Sequence, residues 1–113
     1  MSASALRRGE IYRVRQPQHG DPKKSRCFAI VSRQELLDSK ANRVLCAPVN
    51  NSGFGLATEV SVGESEGLKH ASVINCDQLT RLEKNLLTDY IGKLSAEKLQ
   101  HLKLALRVAL GID

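Results

Sequence analysis

Short apolar segments separated by turn-forming residues constrain the fold of this chain of 113 residues more than any other feature. Residues 10–15 and 58–62 alternate apolar and polar side chains, which is the period of a half-buried strand. Residues 26–32, 44–49 and 71–76 are nearly continuous apolar runs, which predict strands buried on both faces. Pro48 has no N–H to donate, so it is expected at a strand end, an edge or a bulge, and the strand is expected to end there.

Helical patterns occupy two other parts of the chain. Residues 34–41 favour about two helical turns, and from Leu79 onward the pattern again turns helical. Ser95 is suited to an N-cap, apolar residues then recur every three or four positions, and Gly111 is suited to the C′ position. These elements predict one α+β, β-rich domain over residues 1–113. Its architecture would be a small SH3-like barrel or curled antiparallel sheet of about five strands, with a short helix and a C-terminal amphipathic helix.

The positive charge of the chain is concentrated at its beginning. Residues 1–43 hold ten Lys and Arg against four Asp and Glu, whereas the remainder holds seven against eight. Residues 16–25 combine two prolines, a glycine and two lysines without periodicity, which indicates a positively charged loop. A basic region of this kind attracts phosphate groups, although mild basicity alone also occurs in proteins that bind no nucleic acid.

Composition excludes several other classes of protein. With 4% aromatic residues and no Trp, a surface built from stacked aromatic platforms is not expected. The three cysteines lie inside apolar runs without a C-x-x-C pair, which favours reduced thiols in a cytoplasmic protein. No apolar run approaches the length needed to cross a bilayer, so no membrane association is expected. The three histidines have no second ligand at metal-binding spacing, and neither a metal nor a cofactor is expected.

Several segments in order resemble the MazF/PemK/Kid family of toxins. The first segment is Arg8-Gly9-Glu10-Ile11-Tyr12. The second is the apolar strand that begins at Arg26 and ends with Val31-Ser32, and the third is Ala47-Pro48-Val49 with the polar loop that follows it. Asn75-Cys76-Asp77-Gln78 and Ile91-Gly92-Lys93-Leu94-Ser95 follow. Each fragment consists of a few common residues, but the resemblance covers about residues 8–112 in the right order and spacing.

The resemblance implies a homodimeric toxin of a toxin–antitoxin pair. Such a toxin cleaves single-stranded RNA, mainly mRNA, by attack of a 2′-OH on the adjacent phosphate, without a metal ion. The products carry a 2′,3′-cyclic phosphate and a 5′-OH. The cognate antitoxin would be a partly disordered acidic segment that folds onto the RNA groove.

The resemblance also implies three catalytic residues. Arg26 matches the family's arginine at the beginning of the second strand, and its guanidinium is suited to stabilising phosphate charge. Asn50 stands where Thr or Ser is usual, so Asn50 contacts the phosphate, Ser52 replaces it, or activity is weakened. Asp77 matches the general base of the Kid-like branch, but Asn75 stands where that branch has an arginine. Asp77 and Gln78 are equally suited to capping a turn or reading RNA bases.

Further residues are predicted to bind the substrate. They are His19, Lys23, Lys24, Asn51, Ser52, Asn75 and Gln78. His19 lies within one residue of a histidine in Kid-like toxins, and an exposed loop histidine without function is the competing interpretation. His70 precedes a strand and could approach the same groove, although the sequence does not place it. His101 is expected at the surface of the terminal helix.

Two other functions remain open at the level of sequence. Gyrase poisons that resemble CcdB share the fold and depend on a C-terminal Trp-Gly-Ile, whereas this chain ends Leu110-Gly111-Ile112-Asp113. The departures at Asn50 and Asn75 also allow a non-catalytic relative that binds RNA or antitoxin without cutting. The basic early loop and Arg26 favour the RNA-cutting branch.

Overall fold

Seven antiparallel strands and two α-helices make up the described part of the chain, residues 5–15 and 25–112, in a computed structural model. The strands are β1 (Glu10–Arg15), β2 (Ser25–Ile30), β3 (Arg43–Asn50), β4 (Glu59–Val62), β5 (Ser72–Asn75), β6 (Thr80–Glu83) and β7 (Asp89–Lys93). The helices are α1 (Gln34–Leu37) and α2 (Ala96–Leu110). Short 3-10 turns cover Glu64–Glu66, Cys76–Gln78 and Lys84–Leu86. The predicted α+β, β-rich class is confirmed.

The strands form one curled sheet, a half-barrel, in the order β4-β5-β3-β2-β1-β7. Among the described strands, β3 pairs with three others. One of its edges pairs with β2, and its other edge changes partner along its length, since Arg43 to Cys46 pair with β6 and Val49 and Asn50 pair with β5. Pro48 lies between these two pairings and faces Phe28 of β2. The expectation that the strand ends at Pro48 is therefore wrong, since β3 continues to Asn50. A missing N–H is tolerated where one neighbouring strand gives way to another.

Both faces of the sheet are covered, which explains the continuous apolar runs. Ile11, Ala29 and Ile74 belong to the core between the sheet and α2, which also contains Leu102 and Ala105 of the helix. A second core on the other face contains Phe28, Ile30 and Cys46 and is closed by Leu37 of α1. Alternate residues of β2 thus enter opposite cores.

The segment from Leu79 to Leu94 differs from its predicted helical pattern. It forms β6, a 3-10 turn and β7. Leucines at positions 79, 82, 86 and 87 repeat at helical intervals, but β6 pairs with β3, and β7 with β1. The pairing places Arg43 opposite Glu83, an oppositely charged cross-strand pair. Tertiary pairing thus outweighs the local periodicity.

The C-terminal helix begins and ends as predicted. The Ser95 hydroxyl oxygen accepts a hydrogen bond from the Lys98 N–H at 3.2 Å, and Gly111 adopts the left-handed conformation after Leu110. α2 then packs on β4 and on the turn that contains Cys76. α1, by contrast, is one helical turn instead of the predicted two.

The 3-10 turn Glu64–Glu66 closes one side of the half-barrel against β7. A Cβ at Gly92 would overlap the backbone oxygen of Glu66, and a Cβ at Gly67 would overlap the backbone oxygen of Ile91. Gly67 also has a φ of 89°, which an L side chain rarely adopts. The buried Glu66 carboxylate accepts a hydrogen bond from the Gly63 N–H at 2.7 Å and lies 3.1 Å from Lys98 Nζ of α2. The turn is therefore fixed to both β7 and α2.

Candidate active site

A cavity of about 560 Å³ opens at the end of β3, between β2 and the segment that leads into β5. Its volume lies in the range of ligand-binding pockets. Its walls come from β1, β2, the end of β3 and residues 67–72. The residues that line it are Arg13, Ser25, Arg26, Cys27, Val49, Asn50, Asn51, Gly67, Leu68, Lys69, His70 and Ser72.

Arg26 and Asn50 are joined directly at the wall of this cavity. Arg26 Nη2 donates to Asn50 Oδ1 at 2.5 Å, and the guanidinium carbon lies 5.9 Å from the centre of the Phe28 ring. Arg26 and Phe28 share a face of β2 because they are two residues apart, so the buried ring supports the exposed guanidinium. The Asn50 amide accepts through its oxygen, which leaves its NH2 group to donate to another acceptor.

The cavity is cationic. Arg13, Arg26 and Lys69 line it, and no carboxylate does so among the described residues. The Arg13 guanidinium lies 3.7 Å from the Asp89 carboxylate of β7. Both side chains are well exposed, so this ion pair neutralises Arg13 only weakly. The arrangement favours an anion such as phosphate.

Cys27 is the thiol of the cavity. Burial raises the pKa of Cys27 above its ordinary value, and the neighbouring Arg13 offsets part of that rise. A raised pKa keeps the thiol protonated near neutral pH, so Cys27 is a poor nucleophile and a poor base.

The segment that carries Lys69 and His70 is anchored on both sides. The Leu68 N–H donates to the Gly63 backbone oxygen at 3.1 Å, and the Leu68 side chain packs against the core. On the other side the Ser72 hydroxyl donates to the His70 backbone oxygen at 3.0 Å. Lys69 and His70 themselves are exposed at the cavity.

Asp77 lies in a different place, at the far end of β5. Because β5 is antiparallel to β3, Asn50 faces Val73 near the beginning of β5, whereas Asp77 follows its end. The Thr58 hydroxyl donates to the Asp77 carboxylate at 2.6 Å, and the Asp77 N–H donates to Asn75 Oδ1 at 2.8 Å. Asp77 and Asn75 are thus partners within one capped turn.

The structure therefore divides the predicted site residues. Arg26, Asn50 and Asn51 line one cavity, while Asn75, Asp77 and Gln78 lie at the other end of β5 and outside its lining. Ser52 is exposed in the loop between β3 and β4 and does not line the cavity. His19, Lys23 and Lys24 lie outside the described residues. The roles assigned to all these residues stay predictions.

Arg13, Lys69 and His70 line the cavity without having been assigned to the site from sequence. The signal that could have placed His70 is the pairing of β5 with β3, which brings the beginning of β5 to the end of β3. His101, in contrast, is exposed on α2 as predicted.

The described residues contain no group of three or more His, Cys, Asp or Glu side chains placed to hold a metal ion. Within the same part of the chain, neither helix has the length and apolar character required to span a membrane.

Known structures share this architecture. The Mycobacterium tuberculosis toxin MazF-mt6 is 29% identical, with a TM-score of 0.78 over 92% of this chain and 98% of its own. An endoribonuclease in complex with its cognate antitoxin, from a mycobacterial species, is 25% identical, with a TM-score of 0.80 over 96% and 98% of the two chains. A MazE–MazF structure from Deinococcus radiodurans is 15% identical and shares the fold, with a TM-score of 0.73 over the full length of both chains. No curated protein sequence gives a significant match.

The described residues thus combine a half-barrel, a terminal helix and a cationic cavity at the end of β3. The profile of the PemK-like, MazF-like toxins of type II toxin–antitoxin systems matches residues 7–110. The chain belongs to this family, as the sequence resemblance predicted.

Proposed function

We propose that this protein is an endoribonuclease toxin that cleaves single-stranded RNA at the cavity formed by Arg26 and Asn50. The observation that carries the proposal is the 2.5 Å contact between these two side chains in a cavity that three cationic residues line. The similar mycobacterial endoribonuclease adds support, because it resembles this chain over nearly its whole length.

The reaction would be attack of a ribose 2′ oxygen on the adjacent phosphorus. Negative charge then accumulates on the phosphorane oxygens, and the Arg26 guanidinium stabilises it with its fork of donors. Asn50 holds that guanidinium through its amide oxygen and presents its NH2 group to a second phosphate oxygen. Asn50 can therefore act without the hydroxyl that relatives carry at this position. The products would be a 2′,3′-cyclic phosphate and a 5′-OH, formed without a metal ion.

The RNA would also contact residues at the margin of the cavity and beyond it. Asn51 extends the wall, and Ser52 follows it in the exposed loop. Asn75 and Gln78 would contact bases at the far end of β5, while His19, Lys23 and Lys24 would contact phosphates. Asp77, the predicted general base, lacks support from the geometry within one chain.

We further propose a homodimer that acts on mRNA in the cytoplasm and is silenced by an acidic antitoxin covering the cationic cavity. Leu104 and Val108 lie on one side of α2 and are each more than half exposed, which supports contact with a second copy. Sedimentation of the purified chain should give twice the 12.4 kDa monomer mass, and a monomer at micromolar concentration would contradict the dimer.

Incubation of the purified protein with a single-stranded RNA in excess EDTA tests the nuclease. We expect cleavage that leaves 2′,3′-cyclic phosphate and 5′-OH ends. A phosphodiester bond on the 3′ side of a 2′-deoxynucleotide should resist cleavage, because the attacking 2′-OH is missing. Uncut RNA, together with stalling of gyrase in a separate assay, would instead support the function of a gyrase poison. Uncut RNA that nevertheless binds would support the non-catalytic relative.

A further inference from the structure

The cavity provides cations that can stabilise the transition state, but RNA cleavage also requires a group that accepts a proton. The attacking 2′-OH has to lose its proton, and a positioned base ordinarily takes it. No Asp or Glu is found among the described residues that line the cavity. Guanidinium and ammonium groups ordinarily stay protonated near neutral pH. The raised pKa of Cys27 keeps that thiol protonated as well.

Of the cavity-lining residues that the structure describes, His70 has the side chain suited to this task. Imidazole is the side-chain type that exchanges a proton most readily near neutral pH. Among residues 5–15 and 25–112, the charged and titratable groups that share the cavity with it are Arg13 of β1, Arg26 and Cys27 of β2, and Lys69 of its own segment. Each of the three cations favours the binding of a phosphate beside His70.

The backbone around His70 is held in place. The Ser72 hydroxyl holds its carbonyl at 3.0 Å, and the buried Glu66 carboxylate links the preceding turn to Lys98 of α2. The turn also lies close to β7, since a Cβ at Gly67 would overlap the Ile91 backbone oxygen and a Cβ at Gly92 that of Glu66. A base has to be positioned before proton transfer, and these contacts fix the backbone from which the His70 side chain extends.

We propose that His70 is the general base that takes the 2′-OH proton, an inference that rests on the ribonuclease function proposed above. The proton moves from the 2′ oxygen to an imidazole nitrogen, and the 2′ oxygen forms its bond to phosphorus. The bond from phosphorus to the 5′ oxygen breaks, and water protonates that leaving oxygen. The resulting hydroxide takes the proton from the imidazolium, which restores neutral His70.

Single-turnover cleavage at saturating RNA in EDTA tests this role with His70→Gln against His101→Gln as the matched control. We expect His70→Gln to lower the rate about 10²-fold or more with RNA affinity changed by only a few-fold. The acid limb of slope one in the pH–rate profile should disappear in this variant. His70→Ala should regain rate when imidazole is added to the buffer. His101→Gln should match the unchanged protein.

Contrary results distinguish failure of the role of His70 from failure of the ribonuclease function. If the unchanged protein cuts RNA and His70→Gln keeps its rate and its acid limb, His70 is not the base and the ribonuclease stands. Loss of the acid limb in His19→Gln or Asp77→Asn, with His70→Gln unaffected, overturns the assignment in the same way. If the unchanged protein cuts no RNA, both the ribonuclease and the role of His70 fall.

Discussion

The two ends of β5 differ in how their polar groups are used. At the beginning of the strand, Arg26, Lys69 and His70 face an open cavity without a carboxylate in its described lining. At its end, the Asp77 carboxylate accepts a hydrogen bond from the Thr58 hydroxyl, and the Asp77 N–H donates to Asn75 Oδ1 within a capped turn. The Asp77 carboxylate and the Asn75 amide oxygen accept from protein donors, which stabilises the fold. The Arg26 guanidinium bonds to Asn50 but has five N–H donors, and together with Lys69 it faces an open cavity where these cations can bind an anionic ligand. A family resemblance alone does not separate these two uses.

Substitution of Gly92 by Ala tests whether the cavity end depends on the closure of the half-barrel. The added Cβ would overlap the Glu66 backbone oxygen, so the turn before Lys69 and His70 has to move. We expect a loss of about 3 kcal/mol in the free energy of unfolding, measured by urea titration. RNA cleavage under conditions where the variant is folded should fall as well.

Gly55→Ala is the matched control for that variant. Gly55 has a φ of 73° but no atom within 4 Å of an added Cβ, so only the backbone conformation is strained. We expect a cost of about 1 kcal/mol and unchanged cleavage. Equal costs for Gly92→Ala and Gly55→Ala would show that the close approach to Glu66 contributes little.

The thiols at the two ends provide a smaller, pH-dependent contrast. Burial, followed by the charge of Asp77, raises the pKa of Cys76 to about 11 from an ordinary 9.0. The folded state thus favours the neutral thiol, so its contribution to stability is complete below pH 9 and is lost as the pH rises toward 11. After allowance for solvent screening we expect this loss to be about 1–2 kcal/mol.

Urea titrations at pH 8 and pH 11 check this contrast. Cys76→Ala should flatten the alkaline loss of stability, and Cys27→Ala should do so less because Cys27 is half-buried. An unchanged pH dependence in Cys76→Ala would show that ionisation of this buried thiol does not cause the loss. Cys46 and Tyr12, whose pKa values burial raises to about 12, add to the alkaline loss in both variants, as does whichever of Cys27 and Cys76 the variant retains.

Much of the fold was predictable because its signals are local. The strand that contains Phe28 and Ile30 reads as continuously apolar since its alternate residues enter two cores. Ser95 and Gly111 mark α2 by capping preferences that depend on a few neighbouring residues. The Arg8-Gly9 segment of the family resemblance has a structural explanation as well. The Arg8 guanidinium donates to the Val31 backbone oxygen, and the Gly9 N–H donates to that of Ile30.

The parts that were missed depend on pairing between distant segments. β6 exists because residues 80–83 pair with residues 43–46, which the spacing of leucines does not reveal. His70 joins Arg26 only through the register of β5 on β3, and the same register separates Asp77 from Arg26. Contacts between distant residues follow from register, and a one-residue shift reverses which face each side chain occupies.

Parallel single-turnover cleavage by Arg26→Ala and Asp77→Asn tests most directly that the chemistry belongs to the open end of β5. We expect Arg26→Ala to lose about 10²- to 10³-fold in rate while keeping its urea midpoint, because it removes transition-state stabilisation from an exposed side chain. Asp77→Asn should stay within a few-fold of the unchanged protein and lose some stability instead. Retained cleavage in Arg26→Ala, or its collapse in a folded Asp77→Asn, would contradict the assignment of the chemistry to the open end.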